Sequence, residues 1–216
     1  MCSKKPFVQY GLRLGFPTFV YMKKKIHHHA KRVKYIIYQE TLLDFREHLW
    51  TFTGAFLGIG IIGFISSEYL TVHDNLFMIG SFGASSVLIY GAINSPLAQP
   101  RNLIGGHVIC ALVGVTIYKF VPGEIWLTSA LSVALAIVAM QITKTLHPPG
   151  GATALIANIG SAKVHALGYL YVLSPVLSGV LILFLVAMMC NNATPHRSYP
   201  KNKKWFKFWK RKYDHQ

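Results

Sequence analysis

The stretch that decides the fold is His147-Pro148-Pro149-Gly150-Gly151-Ala152-Thr153-Ala154-Leu155, which lies between two apolar segments. Each proline lacks a backbone N–H and has a fixed φ, so no helix runs uninterrupted through Pro148 and Pro149. His147 precedes a proline and is therefore driven towards extended backbone geometry. The residues after the glycines are compatible with a helix. The stretch predicts a broken helix whose new N-terminus exposes unpaired N–H groups and favours an anion.

The composition around this stretch is that of a membrane protein. Of 216 residues, 52% are hydrophobic and 13% are charged, whereas about a quarter of the residues are charged in a soluble domain. Ten of the 22 Lys and Arg residues lie in residues 1–48 and eight in residues 193–216. We predict a membrane domain over residues 49–190. A basic region with an interfacial amphipathic helix (1–48) precedes it, and a basic, aromatic cytoplasmic tail (191–216) follows it.

The apolar runs predict an all-α fold. Runs long enough to cross a bilayer are residues 49–67, 103–118, 125–142 and 166–190. Two further elements, residues 75–94 and 147–160, are interrupted by glycine, serine or proline. The predicted fold class is therefore an all-α membrane protein, a helical bundle of four full spans plus two short or broken helices.

A short internal repeat relates the two interrupted elements. The segment Gly83-Ala84-Ser85-Ser86-Val87-Leu88-Ile89 resembles Gly151-Ala152-Thr153-Ala154-Leu155-Ile156-Ala157. The domain therefore divides into two three-element units, about 49–120 and 125–190.

Basic tails at both ends place both termini in the cytoplasm and require an even number of crossings. With six crossings the two units are inverted repeats, and with four the interrupted elements are re-entrant. The charges of the connectors favour six.

The interrupted elements also predict the solute-binding residues. Inverted units with broken helices at the midplane of the bilayer are a recurrent transporter design. Hydroxyl groups, backbone N–H groups and positive charges lie at or near the breaks. The candidates are Gly83, Ala84, Ser85, Ser86, Arg101, Asn102, His107, Lys144, His147, Gly150, Gly151, Ala152 and Thr153. No Asp or Glu lies within an apolar span, whereas a cation carrier usually needs a buried carboxylate. The pattern therefore favours an anion or a neutral polar solute.

The same residues also have a purely structural explanation. Glycines in membrane helices commonly serve close helix packing. Arg101 and Lys144 can extend to the membrane surface and set the orientation of the chain. His107 can be a hydrogen-bonded residue of the bundle. Both explanations stay open at this point.

Catalysis has less support in the sequence. His107, His147 and His165 lack the spacing of a helical zinc motif, and no carboxylate within a span is available as a general base. Cys2, Cys110 and Cys190 have neither metal-ligand nor disulfide spacing. We predict no enzyme, no catalytic residue, no metal and no cofactor.

The basic tails predict contacts with lipid. From Lys201 to Lys212 aromatic and basic residues are interleaved directly after a span, which favours anionic lipid headgroups over nucleic acid. No Ser-rich transit peptide is evident, so a bacterial inner (plasma) membrane is predicted over a plastid membrane. Homo-oligomerisation is left open.

The motif at residues 147–155 resembles the HPP family of integral membrane proteins. Gly83-Ala84-Ser85 and Pro96-Leu97-Ala98-Gln99-Pro100-Arg101-Asn102 extend the resemblance over residues of about 45 to 190. The family is described as having four or more membrane helices, and its plant and cyanobacterial members are associated with nitrite transport. The resemblance therefore implies an anion, and nitrite itself rests on the family alone.

Together these observations predict a membrane permease or channel for a small anion such as nitrite, bound at the N-termini of the broken helices. The alternatives are a membrane scaffold or sensor without transport and, with least support, a membrane-embedded metalloenzyme.

Overall fold

The computed structural model describes residues 45–69 and 80–201, which are helical and contain no strand. The seven α-helices of these ranges are α1 Phe45–Tyr69, α2 Gly80–Ser86, α3 Pro100–Phe120, α4 Ile125–Thr143, α5 Pro148–Ile159, α6 Ala162–Leu167 and α7 Ser178–Cys190. A π-helical turn, Val87–Gly91, extends α2, and a π-helical segment, Val172–Leu177, leads into α7. A 3-10 turn covers Pro96–Ala98.

Within residues 45–69 and 80–201, four helical stretches are long and apolar enough to cross a bilayer: Phe45–Ser67, Pro100–Phe120, Ile125–Thr143 and Val172–Cys190. They correspond to the four predicted spans and confirm an all-α membrane bundle. Helix α5 has 12 residues, about 18 Å, and is too short to cross a hydrocarbon core of about 30 Å alone. Helix α2 and its π-helical turn have 7 and 5 residues and are equally short. The inverted orientation of the two units stays a prediction.

Several sequence predictions concern residues outside the described ranges. They are the basic region before residue 45 with its interfacial helix, residues 75–79 of the first interrupted element, and the tail from residue 202 onward.

Helix α3 is central to the described bundle, because it contacts α4, α5, α7 and the π-helical segment before α7. Its contact with α5 is made by small residues, Gly106, Cys110 and Gly114 on α3 against Gly150 and Ala154 on α5. A Cβ atom added to Gly114 would lie 2.9 Å from the Cα of Ala154, and one added to Gly150 would lie 3.0 Å from the carbonyl oxygen of Gly106. The two backbones therefore touch, and short polar side chains on both helices come within hydrogen-bonding distance.

Two element boundaries differ from the sequence-based expectation. Helix α3 begins at Pro100, three residues before the predicted span 103–118, because a residue without an N–H fits the first helical position. The last apolar run is not one helix from residue 166 onward. Gly168, with φ +51°, follows α6, and Ser174 adopts an extended conformation (φ −139°, ψ 121°) before Pro175. The residue before a proline is disfavoured in the helical region, which explains the second interruption.

After α7 the chain turns back and places Arg197 inside the bundle. Its guanidinium forms an ion pair with Glu47 at 2.9 Å and donates to the carbonyl oxygen of Tyr90 at 2.7 Å. It also donates to Asn191 Oδ1 at 2.8 Å, and Asn191 donates in turn to the carbonyl oxygen of Ile89 at 2.7 Å. The carbonyl groups at a helix end lack intrahelical partners. Arg197 and Asn191 therefore cap the C-terminal end of the first interrupted element.

We expect Gly114→Ala to lower the free energy of unfolding by about 1–3 kcal/mol, because the added methyl group overlaps the backbone of α5. Gly60→Ala is the matched control, since a Cβ added to this α1 glycine has no heavy atom within 4 Å. Alanine favours helix over glycine, so this variant should be as stable as the wild type or slightly more stable. The fraction of detergent-solubilised protein that stays monodisperse after heating measures both. Equal melting curves for the two variants would contradict the close contact.

Arg197→Leu is expected to cost about 3–5 kcal/mol, because it leaves several buried acceptors without a donor. Glu47→Gln should cost less. The Glu47 side chain is 28% exposed, against 2% for Arg197, and an amide oxygen still accepts the hydrogen bond. The same heating assay ranks the two variants, and a larger loss for Glu47→Gln would show that the ion pair outweighs the cap.

Candidate functional site

Five polar side chains meet where α2, α3 and α5 approach one another. They are Ser81 and Ser85 on α2, His107 on α3, His147 directly before α5, and Thr153 on α5, and each is 0% exposed. We call this group the Ser-His cluster. Buried polar groups need hydrogen-bond partners because their loss of water is otherwise uncompensated. In this cluster the side chains are partners for one another.

His107 lies at the centre of the cluster. Its Nε2 is 2.7 Å from Ser85 Oγ, and its Nδ1 is 2.7 Å from Thr153 Oγ1. Thr153 donates to Ser81 Oγ at 2.9 Å. On the other side of His107, Ser85 Oγ is 2.9 Å from His147 Nε2. The hydrogen bonds thus form one continuous chain from Ser81 to His147.

His147 ends this chain at a backbone carbonyl group. Its Nδ1 lies 2.9 Å from the carbonyl oxygen of Leu97. Because a carbonyl oxygen only accepts, the Nδ1 of His147 carries a proton. Asn102 holds the two segments around this contact together, since its amide donates to the carbonyl oxygens of Pro96 and Leu146 at 3.1 and 3.0 Å. Asn102 is therefore a positioning residue that ties the 3-10 turn to the loop before α5.

The position of His147 follows from its local sequence. It is extended (φ −138°, ψ 102°) and directly precedes the two prolines that begin α5. A Cβ atom added to Gly106 would lie 2.5 Å from the Cβ of His147. Only glycine at this position of α3 leaves room for His147 beside His107, and their ring centroids are 5.0 Å apart.

The prediction of unpaired N–H groups at the N-terminus of α5 is wrong for its first turn. Pro148 and Pro149 have no N–H, and the N–H of Gly150 donates to the carbonyl oxygen of His147 at 2.8 Å. Gly150 instead packs against α3, and a Cβ added to Gly151 would meet only Val133 of α4, at 4.0 Å. Donors reach the cluster from side chains. This correction follows from the prolines themselves, which break the helix and also remove its first two donors.

The structure separates the remaining candidates from the cluster. Gly83 and Ala84 are exposed on the outer side of α2, and Ala152 is partly buried. Ser86 is buried, but its hydroxyl group has no hydrogen-bond partner. The cluster therefore contains Ser85, His107, His147 and Thr153 of the predicted set, positioned by Asn102.

Arg101 and Lys144 lie at the surface, at one end of α4. The guanidinium of Arg101 donates to the carbonyl oxygen of Thr143 at 2.9 Å. Lys144 directly follows α4 in the left-handed conformation, with φ 55° and ψ 42°. Both side chains are exposed, and Lys144 is only three residues before His147 in the chain. Positive charge thus flanks the loop that leads into the cluster.

The internal repeat anticipated one feature of the cluster. It aligned Ser85 with Thr153, and in the structure these two hydroxyl groups face the two nitrogens of the same His107 ring. Sequence reasoning missed Ser81, whose spacing of four residues from Ser85 places both on one face of α2. It also missed Tyr171, whose hydroxyl donates to the carbonyl oxygen of Thr153 at 3.2 Å. No local pattern in the sequence pointed to Tyr171.

His165 lies apart from the two cluster histidines. It stacks on Tyr118 with a centroid separation of 3.9 Å, and its Nε2 is 3.1 Å from the carbonyl oxygen of Asn158. In the ranges 45–69 and 80–201, no three His, Cys, Asp or Glu side chains are grouped as metal ligands.

Comparison with known proteins places this architecture in a family. Residues 40–200 match the family model described as "HPP, transmembrane region". The chain belongs to the HPP family. The match includes every residue of the Ser-His cluster and confirms the resemblance seen in the sequence.

Two curated relatives of this HPP protein are transmembrane proteins of Dictyostelium discoideum. Each is 42% identical over 160 residues, which is 73% of this chain and 51% or 56% of the relative. The HPP protein thus spans about half the length of the curated relatives it matches. No solved structure matches it.

The chemical form of His147 can be tested directly. We expect its Nδ1 to be protonated, because it faces the carbonyl oxygen of Leu97. Nitrogen-15 NMR of histidine-labelled protein distinguishes the tautomers, and a His147→Asn variant assigns the signal. A neutral His147 with its only proton on Nε2 would contradict the hydrogen bond to Leu97.

Proposed function

We propose that this HPP protein is a membrane permease for a small anion, nitrite or a similar oxyanion, whose path passes the Ser-His cluster. The family match establishes a membrane protein, and transport of an anion is our proposal. One observation carries it: two imidazoles and three hydroxyl groups are fully buried where two short helices meet inside a membrane bundle.

The chemistry of the cluster supports an anion over a cation. Polar groups inside a membrane domain are costly and commonly mark a solute or proton pathway. The cluster offers hydroxyl and imidazole N–H groups, which donate to oxyanions. Helices α2, α3, α4, α5 and α7 contain no Asp or Glu that could hold a cation.

The surface charges also favour a negatively charged solute. Arg101 and Lys144 present positive charge beside the loop that leads to His147, and such a field raises the local concentration of anions. Lys144 occupies a left-handed position where an L-residue other than glycine is disfavoured by about 1–2 kcal/mol.

In this proposal the structure corresponds to a closed state of the path. All five cluster residues are 0% exposed, so the solute needs a conformation in which the two short helices separate. The buried hydroxyl group of Ser86, which has no partner here, is available to a solute that enters next to Ser85. We propose alternating access between this closed state and an open one.

Location and partners complete the proposal. A bacterial inner membrane, cytoplasmic termini and binding of anionic lipid headgroups by the basic tails stay predictions, and homo-oligomerisation stays open. Cysteine labelling of Lys144→Cys and Lys163→Cys from each side tests the topology. Labelling from the same side indicates that α5 is re-entrant, and labelling from opposite sides indicates that it crosses.

The permease is tested by anion flux into proteoliposomes with nitrite, nitrate, formate and chloride. We expect protein-dependent flux of nitrite. Ser85→Ala should reduce it at least about tenfold, because it removes two buried hydrogen bonds and leaves the Nε2 of both imidazoles unpaired, at about 1–3 kcal/mol each. Ser67→Ala is the matched control. Its hydroxyl group is exposed on α1 and bonds only the carbonyl oxygen of Phe64, so its flux should equal that of the wild type.

Arg101→Ala should slow nitrite uptake mainly at low ionic strength, where attraction of the anion by surface charge is strongest. Absence of protein-dependent flux for all four anions would overturn the permease and support a membrane scaffold.

A further inference from the structure

We propose that the Ser-His cluster is a proton path, and that the HPP protein moves its anion together with one proton. The coupling of proton to anion rests on the permease proposed above, whereas the proton path rests on the hydrogen bonds of the cluster alone. The juxtaposition that carries it is an unbroken chain of hydrogen-bonded hydroxyl and imidazole groups between Ser81 and His147.

The chain of hydrogen bonds is continuous. Its successive donor–acceptor distances are 2.9 Å from Ser81 to Thr153, 2.7 Å to His107 Nδ1, 2.7 Å from His107 Nε2 to Ser85, and 2.9 Å to His147 Nε2. Every internal member can both donate and accept, which is what relay of a proton from group to group requires. The far end is closed, because the carbonyl oxygen of Leu97 accepts a hydrogen bond but takes up no proton at ordinary pH.

Counting protons gives two complete arrangements of these bonds. With both histidines neutral, His147 must hold its proton on Nδ1 towards Leu97, so its Nε2 accepts from Ser85. Ser85 then accepts from His107 Nε2, His107 Nδ1 accepts from Thr153, and Thr153 accepts from Ser81. All hydroxyl and N–H groups point towards His147.

One additional proton reverses the whole chain. A proton bound by Ser81 Oγ releases the original Ser81 proton to Thr153, and Thr153 releases its own to His107 Nδ1. His107 gives its Nε2 proton to Ser85, and Ser85 gives its proton to His147 Nε2. The single added charge thus appears on His147, and no bond other than O–H and N–H changes. Hydroxyl hydrogens rotate between partners, so the Thr153–Ser81 bond, 2.9 Å long, belongs to both arrangements and runs in opposite directions in them.

The surroundings of His147 determine what must accompany the proton. Among residues 45–69 and 80–201, the titratable or charged groups around His147 and its loop are His107 on α3, Cys110 on α3 beside Gly150, Tyr171 bonded to Thr153, and, at the surface, Arg101 and Lys144. None is a carboxylate, and none of the packed helices contributes one.

A buried imidazolium without a counter-ion is costly, because it has lost its water. A monovalent anion supplies the missing charge. Uptake of the anion and of the proton are therefore favourable together and unfavourable apart. The transported pair is electrically neutral, one proton for one anion.

The experiment measures proton and anion movement together in proteoliposomes that contain a pH-sensitive dye. A pH gradient, with the outside more acidic than the lumen, drives nitrite uptake. Valinomycin and potassium set the membrane potential. The uptake rate of protein-free liposomes is subtracted, because undissociated nitrous acid enters liposomes passively. We expect one proton per nitrite and a rate that does not depend on the membrane potential. Nitrite flux that carries current without proton movement would overturn the coupling and leave the permease intact. Protein-dependent proton movement without flux of any anion would overturn the permease and the coupling and leave only the proton path.

A pair of variants separates the proton path from a merely structural hydrogen bond. Thr153→Val keeps the shape of the side chain but interrupts the chain between Ser81 and His107. It should lower pH-driven net uptake on the order of 100-fold, and lower the exchange of labelled for unlabelled nitrite much less. Thr153→Ser restores the hydroxyl group and should restore coupling. Thr116→Val is the matched control, because Thr116 is exposed and bonds Leu112 and Tyr169 away from the cluster. Equal loss of net uptake and exchange in Thr153→Val would overturn the proton path.

Discussion

The contact on which the rest of the described bundle depends is the close approach of α3 and α5. Gly106 and Gly114 on one helix and Gly150 on the other leave no side chain between the backbones. In a bilayer, apolar side chains gain little by leaving lipid for protein, so helices associate through packing and hydrogen bonds. The glycines supply the packing. They also bring His107 and His147 so close that one serine hydroxyl group can bond both rings.

A second constraint follows from the first. Polar side chains brought into a bundle without water must bond one another. The five residues of the Ser-His cluster do so in a single line, and Leu97 provides an acceptor at its end. A line of hydrogen bonds has a direction, and that direction depends on how many protons it holds. The same arrangement that satisfies buried polar groups therefore also gives the bundle two states that differ by one proton.

The two interrupted elements satisfy the backbone groups at their breaks in different ways. The first ends at carbonyl groups that Arg197 and Asn191 cap from the segment after α7. The second begins at two prolines, which remove donors instead of presenting them. An anion near α5 would consequently be bound by side chains and not by the helix N-terminus. In both elements the break directs backbone groups to partners within the protein, and the short side chains of α2 and α5 provide the polar surface.

The sequence alone determined the four spans, the two short elements and the break at Pro148, because length, hydropathy and proline chemistry are local properties. It also determined that Ser85 and Thr153 are related and that His107 and His147 are candidates. Tertiary structure decided which side of each short helix faces inward. Gly83 and Ala84 face outward while Ser81 and Ser85 face His107. The reason is physical: in lipid both sides of a helix are apolar, so periodicity does not show which side is buried. The tautomer of His147 and the role of Arg197 likewise depend on groups 50 and 150 residues away, Leu97 and Glu47, which only folding brings near.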